Sequence, residues 1–514
     1  MADVLLVNPR IEEVYNPGFF KNRFIGAPYA LACMASYLEE KGYKVKIVDV
    51  RPAVIEGDES YKKVIEQEAK NGLLLAGIGC MTATIKQTLE ITSLIKNANP
   101  DVPVILGGAH PEFFPKQTCE DPLIDFVCTG EGEYTTAELA KQLEINKGEK
   151  KGFENIRGLT YKDEKGNARI NTPQPFVNLD QMPFPAYHLL DVPKYYLRGK
   201  PTHFDEVFRS AVLQTSRGCP YHCTFCIDPA LEVYRSWRAK SPEKVVSEIR
   251  RLVDTYNIEH LEFRDENCFT NIGRVKRIAE LLMKEKIDIK WGSTCRAEYL
   301  ARNIQPDQMD VIRKSGFSFV DIGAESGSNR ILELIKKGIT TAETLRAAEI
   351  CTKYDIVPAF SLIIGIPTET REDLHQTLSL MGQLKKINKN SKFYGPFIYR
   401  PYPGAELYQL AKQMGFEEPK NLREWIDLDV FDETGFAPVE NLPWIGDKET
   451  LSFLNQNAAF LFYSIKEQRN AAKKIYAAIQ KFRWQTGFFK FRYERDIYTK
   501  LRQASKISVL RPQN

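Results

Sequence analysis

Short apolar runs alternate with amphipathic helical patterns in two separate stretches of this 514-residue chain. In the first stretch, the apolar runs occupy residues 4–7, 45–50, 73–78, 102–106 and 125–129. Strands that alternate with helices in this way predict a parallel sheet with helices on both faces. Residues 1–150 are therefore predicted to form a doubly wound α/β domain, with any ligand bound beyond the carboxyl ends of the strands.

The second stretch, within residues 206–410, repeats the alternation at least six times. Its strand patterns occupy residues 211–215, 260–264, 290–294, 319–322, 357–364 and 393–398. Ser241 and Thr340 each precede a helical pattern, as N-cap residues do. This arrangement predicts a (β/α) barrel whose active site lies at the carboxyl ends of the strands.

Composition and charge are those of an ordinary globular protein. Hydrophobic residues make up 43% and charged residues 27% of the chain, and the length predicts about two to four domains. Neither a signal peptide nor a spanning helix is expected, because no basic leader and no long uncharged apolar stretch is found. Seven cysteines are scattered without pairs, which is typical of a reducing compartment. A cytoplasmic location is therefore predicted.

Three further cysteines, Cys219, Cys223 and Cys226, form a C-x3-C-x2-C pattern directly after the first strand of the predicted barrel. Iron–sulfur clusters are normally held by four thiolates, so three thiolates leave one iron of a four-iron cluster open to a small molecule. A zinc site or a chance group of buried cysteines is the alternative. Structural zinc needs four ligands, however, and His222 lies between two of the cysteines with poor reach.

Residues 215–226 resemble the signature of the radical S-adenosylmethionine (SAM) enzymes. The resemblance implies a [4Fe-4S] cluster on the three cysteines, with SAM bound to the open iron through its amino and carboxylate groups. It also implies reductive cleavage of SAM to a 5′-deoxyadenosyl radical. The barrel is then expected to be the partial six-stranded form of this family.

Residues at the other strand ends of the barrel match positions that this family uses for SAM. The resemblance assigns SAM or substrate contacts to the following residues: Phe225, Asp265, Glu266, Arg296, Glu325, Ser326 and Gly365. Arg296 would bind the SAM carboxylate through its planar guanidinium, and the segment that begins at Gly365 would cradle the adenine. Helix capping is the alternative role for Asp265 and Glu266, and shielding of the cluster is the alternative for Phe225.

Glycine-rich turns follow the strands of the N-terminal stretch, where glycine allows close approach of the backbone to a ligand. Their order and spacing resemble the cobalamin-binding domain that precedes many radical SAM cores. The resemblance assigns cobalamin contacts to residues in these turns: Pro9, Gly26, Pro28, Thr82, Thr84, Gly107, Gly108, His110, Gly130 and Glu131. No G-x-G-x-x-G motif follows the first strand, so a dinucleotide is disfavoured.

The usual D-x-H-x-x-G motif for a lower cobalt ligand is missing from the N-terminal stretch. Cobalt is therefore not expected to take a histidine from this domain, as in the radical SAM branch. For His110 the alternative role is a hydrogen bond that orients its loop. A second alternative is a flavodoxin-like domain that no longer binds cobalamin.

The remaining segments are a connector and a basic C-terminal region. Residues 151–205 are predicted to contain a β-hairpin and to join the two domains, and residues 411–514 to be mainly helical. Within this region, residues 466–514 carry thirteen Lys and Arg against three Asp and Glu. Aromatic residues interleave with these cations, which suits an anionic membrane surface; the alternatives are a solvated helical cap and an acidic or nucleic-acid ligand, although no nucleic acid is expected.

Taken with the resemblance, the sequence predicts a cobalamin-dependent radical SAM methyltransferase that acts on an unactivated carbon of a small-molecule or lipid substrate. An electron donor such as flavodoxin or ferredoxin would supply the reducing electron. The first alternative is a non-methylating radical SAM enzyme that catalyses cyclisation, C–C coupling or rearrangement. The second is an iron–sulfur redox or sensor protein.

Overall fold

The structure, a computed structural model, describes residues 2–10, 26–52, 58–146, 151–199, 201, 203–204, 206–227, 236–427, 439, 442–462 and 471–486. Seven strands form an N-terminal sheet: β1 (Val4–Asn8), β2 (Val45–Asp49), β3 (Leu75–Gly79), β4 (Val104–Gly107), β5 (Phe126–Cys128), β6 (Leu159–Lys162) and β7 (Ala168–Ile170). Their order is β2-β1-β3-β4-β5-β6-β7. The first five are parallel, and β6 and β7 are an antiparallel hairpin on β5.

Both faces of this sheet are buried, because successive side chains of a strand point to opposite faces. In β1, Leu5 and Val7 belong to one apolar core, while Val4 and Leu6 belong to the other. The helices of this part of the chain are α1 (Tyr29–Glu40), α2 (Ser60–Lys70), α3 (Ile85–Ala98), α4 (Ala109–Phe113), α5 (Pro115–Glu120) and α6 (Gly132–Asn146). The predicted doubly wound α/β architecture is confirmed.

Nine strands build the middle of the chain: β8 (Arg198–Gly199), β9 (Phe208–Leu213), β10 (Ser216–Arg217), β11 (Arg238–Ala239), β12 (His260–Phe263), β13 (Lys290–Cys295), β14 (Phe317–Glu325), β15 (Val357–Ile364) and β16 (Lys392–Ile398). Six of them run parallel in the order β16-β15-β14-β13-β12-β9, and β8 is antiparallel at the β9 edge. This sheet is the predicted partial six-stranded barrel.

Helices cover the outer face of the barrel: α7 (Pro242–Tyr256), α8 (Ile272–Lys284), α9 (Pro306–Lys314), α10 (Asn329–Leu334), α11 (Thr341–Lys353) and α12 (Arg371–Ile387). Local sequence signals start these helices where predicted. The Ser241 side chain accepts a hydrogen bond from the Lys244 N–H, and Thr340 forms a capping box with Glu343. Each such cap contributes about 1 kcal/mol to helix stability.

The C-terminal region supplies α13 (Glu406–Gln413), α14 (Lys448–Phe462) and α15 (Ala471–Thr486). Tyr408 and Ala411 of α13 pack into a core of the N-terminal sheet, together with Trp425. Helices α14 and α15 agree with the mainly helical C-terminal region that the sequence predicts. Most of the basic segment at 466–514 lies outside the described residues. No described helix is long and apolar enough to cross a membrane.

Candidate functional site

The cysteine loop (residues 218–237, of which 218–227 and 236–237 are described) leaves the barrel through a short antiparallel stem. In this stem, Ser216 pairs with Ala239 and Arg217 pairs with Arg238. The Lys240 N–H also donates to the Thr215 carbonyl at 2.9 Å. The two ends of the loop are therefore held together before the first cysteine.

Asp265, at the carboxyl end of β12, fixes the start of this stem. Its carboxylate accepts hydrogen bonds from the Thr215 N–H, the Thr215 hydroxyl and the Ser216 hydroxyl, each at 2.6 Å. The neighbouring Glu266 accepts from the Gly218 N–H at 3.2 Å. These contacts place both carboxylates on the cysteine loop, and their predicted contact with SAM remains a prediction.

The three cysteines lie at the carboxyl end of the barrel. Cys223 is buried, and Cys219 and Cys226 are partly exposed. Among the described residues, no three His, Cys, Asp or Glu side chains converge as ligands of a single metal ion. The three thiols lie on one loop and are the groups that would hold a cluster, in which each thiolate binds a different iron.

Arg296, at the end of β13, lies directly beside this loop. Its guanidinium is 3.4 Å from the Cys223 Sγ, pairs with Glu298 at 2.5 Å and donates to the Lys337 carbonyl. Its Cζ also stacks 3.7 Å from the centre of the Tyr221 ring. A cation at this place would stabilise thiolates and attract a carboxylate.

Glu325 ends β14 in a left-handed backbone conformation with φ of 58°, which is strained for a residue with a side chain. Its carboxylate pairs at 2.8 Å with the ammonium of Lys337, and both side chains are buried. The Lys337 Nζ lies 5.8 Å from the centre of the Phe225 ring. The strand end thus contacts the cysteine loop through a lysine that the sequence did not single out.

Ser326 and Gly365 are both buried at the same end of the barrel. The Ser326 hydroxyl lies 3.2 Å from the Thr377 hydroxyl and accepts from the Ser328 N–H at 3.1 Å. The Gly365 carbonyl accepts from the Trp444 indole N–H at 2.8 Å, and its N–H donates to Glu369 at 2.5 Å. Burial raises the pKa of Glu369 to about 8, although two backbone N–H groups oppose the shift.

A cavity of about 260 Å³ opens where the N-terminal sheet faces the cysteine loop. Glycines from three strand ends of the sheet and from the start of α6 line it: Gly77, Gly79, Gly107, Gly108, Gly130 and Gly132. Leu6, Met34 and Ile105 supply apolar walls. Gln214, Arg217 and Glu266, which lie at or near the stem, close the other side. We call this cavity the glycine cleft.

Two glycines of this cleft allow close packing that a side chain would prevent. A Cβ on Gly108, whose φ is 112°, would lie 2.7 Å from the Cys80 carbonyl oxygen, and a Cβ on Gly77 would lie 2.9 Å from Leu6. Larger residues at these points would displace the neighbouring atoms that shape the cleft. A flat apolar group with polar edges suits such a cavity, so the residues present fit part of a cobalamin.

Four of the residues predicted to bind cobalamin line the glycine cleft, namely Gly107, Gly108, Gly130 and Glu131. The Glu131 carboxylate, however, is engaged by Arg217 and Arg238.

Other predicted residues lie elsewhere on the same edge of the sheet. Pro9 is buried against Gly79, Pro28 precedes α1, and a Cβ on Gly26 would contact Val212 of the barrel. Thr84 exchanges hydrogen bonds with the backbone of Met81. The contacts predicted between these residues and cobalamin remain predictions. Residues 11–25, which lie between Pro9 and Gly26 in the sequence, are not among the described residues.

His110 is only 1% exposed and is not among the residues that line the cleft. Its Nδ1 lies 3.2 Å from the Thr82 hydroxyl, and its ring packs 5.3 Å from Trp425. Burial lowers the pKa of His110 to about 4, so the imidazole is neutral at physiological pH. This hydrogen bond between two strand-end loops is of the loop-orienting kind, and contact with cobalamin remains a prediction.

Sequence reasoning missed several residues that hold this site together: Arg217, Arg238, Glu133, Lys337 and Glu369. Arg217 directly precedes Gly218 and Cys219, so its position beside the cysteine pattern was an available signal. Arg238 and Glu133 carry no such signal, because their partners are distant in sequence. Glu369 acts on the N–H groups of Gly365 and Ile366, so its position in the turn after β15 was also an available signal.

Comparisons with known proteins agree with this geometry. The sequence matches the Radical SAM superfamily over residues 213–381 and the B12 binding domain over residues 20–140. An uncharacterized methyltransferase of Pyrococcus horikoshii is 33% identical over 407 residues, which cover 79% of this chain and 82% of that relative. An anaerobic magnesium-protoporphyrin IX monomethyl ester cyclase of Rubrivivax gelatinosus is 25% identical, over 92% of this chain and 80% of the relative.

The fold has solved counterparts. The radical SAM methyltransferase TsrM of Kitasatospora setae superimposes with a TM-score of 0.66 at 20% identity, over 98% of this chain and 99% of that chain. The two family matches confirm the resemblance inferred from the cysteine pattern and the glycine-rich turns. The chain therefore belongs to the radical SAM superfamily, in the branch that carries a B12-binding domain, and is an enzyme similar to the methyltransferases of that branch.

Proposed function

We propose that this enzyme is a cobalamin-dependent radical SAM methyltransferase that methylates an unactivated carbon of a small-molecule substrate. The single observation that carries the proposal is the shared wall between the two sites. Gln214, Arg217 and Glu266 line the glycine cleft, and Glu266 also binds the backbone of the cysteine loop at Gly218. Cobalamin in the cleft and a cluster on the loop would thus lie on two sides of one layer of residues.

The residues present also suit the cofactors. Cys219, Cys223 and Cys226 would hold a [4Fe-4S] cluster, and Arg296 would bind the carboxylate of SAM. The bound cofactors supply radical generation and methyl transfer, and the protein supplies binding, orientation and electrostatics. In particular, Asp265 and Glu266 fix the loop that carries the thiolates, and Glu369 folds the turn at Gly365 through backbone hydrogen bonds.

A non-methylating reaction is the second candidate function. The cyclase relative aligns with 92% of this chain, and its name indicates a ring-closing reaction. A similar chain is therefore associated with a reaction other than methylation. Such an enzyme would consume SAM as 5′-deoxyadenosine without producing S-adenosylhomocysteine. The products of SAM therefore distinguish the two functions.

We further propose two partners. A flavodoxin or ferredoxin would deliver the electron that SAM cleavage requires. Helix α15 would contact an anionic membrane surface, because Ile475 and Phe482 are 62% and 63% exposed and the exposed Lys474 lies beside Ile475. Such a basic, apolar face suits peripheral binding and a lipid substrate.

The test uses anaerobically reconstituted enzyme with hydroxocobalamin, a chemical reductant and SAM labelled in its methyl group. The proposal predicts S-adenosylhomocysteine and label in the protein-bound corrin, together with slow formation of 5′-deoxyadenosine. Formation of 5′-deoxyadenosine alone would contradict methylation and favour the cyclising alternative. Formation of neither product by cluster-containing enzyme would favour an iron–sulfur sensor.

A further inference from the structure

The two ends of the cysteine loop converge on one carboxylate of the N-terminal domain. Arg217 and Arg238 face each other across the loop stem. The Glu131 Oε1 lies 3.0 Å from the Arg217 Nη1 and 2.8 Å from the Arg238 Nη2. Arg217 also pairs with Glu133 at 2.7 Å. The loop therefore begins and ends at arginines that hold the same glutamate.

This contact is buried, and both carboxylate oxygens of Glu131 are engaged. The side chains of Glu131 and Glu133 are 4% and 6% exposed, and those of Arg217 and Arg238 are 13% and 19% exposed. The second oxygen of Glu131 accepts from the Val177 N–H at 2.8 Å. Burial by itself raises the pKa of Glu131, but the two arginines outweigh it and hold the pKa below its usual value. Removing one member would leave a buried charge without a partner.

The same residues form part of the glycine cleft. Gly130, Glu131, Gly132 and Glu133 all line the cavity, and so does Arg217 from the opposite side. The Gly130 N–H is in turn held by Glu112. A ligand that fills the cleft must therefore contact the turn that holds the cysteine loop.

We propose that Glu131 is a positioning residue that couples occupation of the glycine cleft to the geometry of the cysteine loop. The proposal rests on the proposed function, in which cobalamin occupies the cleft and SAM binds at the loop. Cobalamin then fixes the turn at residues 130–133 and, through Arg217 and Arg238, both ends of the loop. Each cofactor consequently changes the affinity for the other by the same factor, as linkage requires.

A purely structural role for this network is the alternative. In that case Glu131 holds two domains together, and cobalamin and SAM bind independently. The two roles differ in one measurable quantity, the ratio of SAM dissociation constants without and with cobalamin. This ratio does not depend on how far a substitution weakens either cofactor alone.

The experiment measures SAM binding by anaerobic equilibrium dialysis on cluster-containing protein, with and without saturating hydroxocobalamin. In the wild-type chain the ratio of dissociation constants is expected to be about five-fold or more. Glu131→Gln, which keeps the size of the side chain, is expected to bring the ratio toward unity. Arg238→Met leaves the contact of Arg217 with Glu131 in place and is expected to give an intermediate ratio. Low-temperature electron paramagnetic resonance of the reduced cluster gives a second readout, because its SAM-induced change would depend on cobalamin in the wild type only.

Asp121→Asn is the matched control. Asp121 is equally buried and pairs with Arg423 at 2.9 Å, so it also joins two distant parts of the chain, but it is not among the residues that line the cleft. It is expected to keep the wild-type ratio. A wild-type chain that retains no cobalamin would overturn the proposed function and this inference together. Retention with a ratio of one in the wild type, or an unchanged ratio in Glu131→Gln, would overturn this inference alone.

Discussion

The cysteine loop and the glycine cleft face each other but are built in opposite ways. Around the loop, Asp265, Arg296 and Lys337 make hydrogen bonds and ion pairs that fix thiols and backbone. Around the cleft, six glycines, among them Gly107, form much of the lining, and charged side chains such as Glu131 and Arg217 lie where it meets the loop. The loop is built mainly from polar side-chain contacts, and the cleft mainly from backbone that carries no side chain.

Because of this difference, the two regions are expected to respond differently to substitution. A change in the loop removes a ligand or a charge, so it should abolish chemistry and leave the fold. A change in the cleft adds volume, so it should exclude one cofactor and leave the other site intact. Substitutions in the loop and in the cleft should therefore have separable effects on the two cofactors.

The largest effect is expected from Cys223→Ala, which removes one of the three thiolates. Iron per chain should fall toward zero after anaerobic reconstitution, and SAM cleavage should fall by more than about 100-fold, beyond the loss typical of outer partners of a metal site. Cys351→Ala is the control, because Cys351 is also a buried cysteine but lies on α11 and not on the cysteine loop. Equal iron contents in the two variants would contradict the assignment of the loop.

A smaller and more selective effect is expected from Gly107→Leu. A Cβ at this position would lie 3.7 Å from the Cys128 Cβ, which is an ordinary contact. Both residues line the cleft, so a leucine here is expected to reduce the space for a ligand. Cobalamin affinity should fall about 10-fold or more, equal to about 1.4 kcal/mol, while cluster content is kept. Gly446→Leu, where no atom lies within 4 Å of the added Cβ, should leave cobalamin binding unchanged. Loss of the cluster in Gly107→Leu would contradict the expectation that a change in the cleft leaves the cluster site intact.

The smallest effect on the two cofactor sites concerns Glu369, whose pKa is raised by burial from 4.5 to about 8. Between these pH values the folded chain binds a proton that the unfolded chain has lost, so the free energy of unfolding falls as the pH rises. The expected loss of unfolding free energy between pH 5 and 8 is on the order of 3 kcal/mol. Chemical denaturation of the cluster-free protein should show this loss in the wild type and in Glu349→Gln, an exposed control, but not in Glu369→Gln. If the free energy of unfolding fell with pH equally in all three proteins, the result would be inconsistent with a buried, protonated Glu369.

Much of the fold followed from the sequence because periodicity is a local signal. The strand predicted at 357–364 agrees with Val357–Ile364, and that at 45–50 differs from Val45–Asp49 by one residue. The way in which the 151–205 connector joins the N-terminal sheet was not predicted. Its hairpin extends that sheet through pairing of Val127 with Thr160, a contact between distant segments that no local pattern encodes.

Site residues could be predicted from the sequence only where the residue type is itself distinctive. Cysteines at a fixed spacing indicate a cluster, and glycines at strand ends indicate close approach of a ligand. The role of Asp265 depends on Thr215, fifty residues away, and the role of Glu131 depends on arginines of another domain. Carboxylates of this kind are chemically ordinary in the sequence, and only the folded chain supplies their partners.

The central claim is that one chain holds a cluster on the cysteine loop and cobalamin in the glycine cleft. The most direct test is to reconstitute the full chain anaerobically, mix it with hydroxocobalamin, desalt it and measure corrin absorbance and iron per chain. Near-stoichiometric corrin beside an intact cluster is the predicted result, and Gly107→Leu should lose the corrin alone. An intact cluster without retained corrin in the wild-type chain would contradict the account.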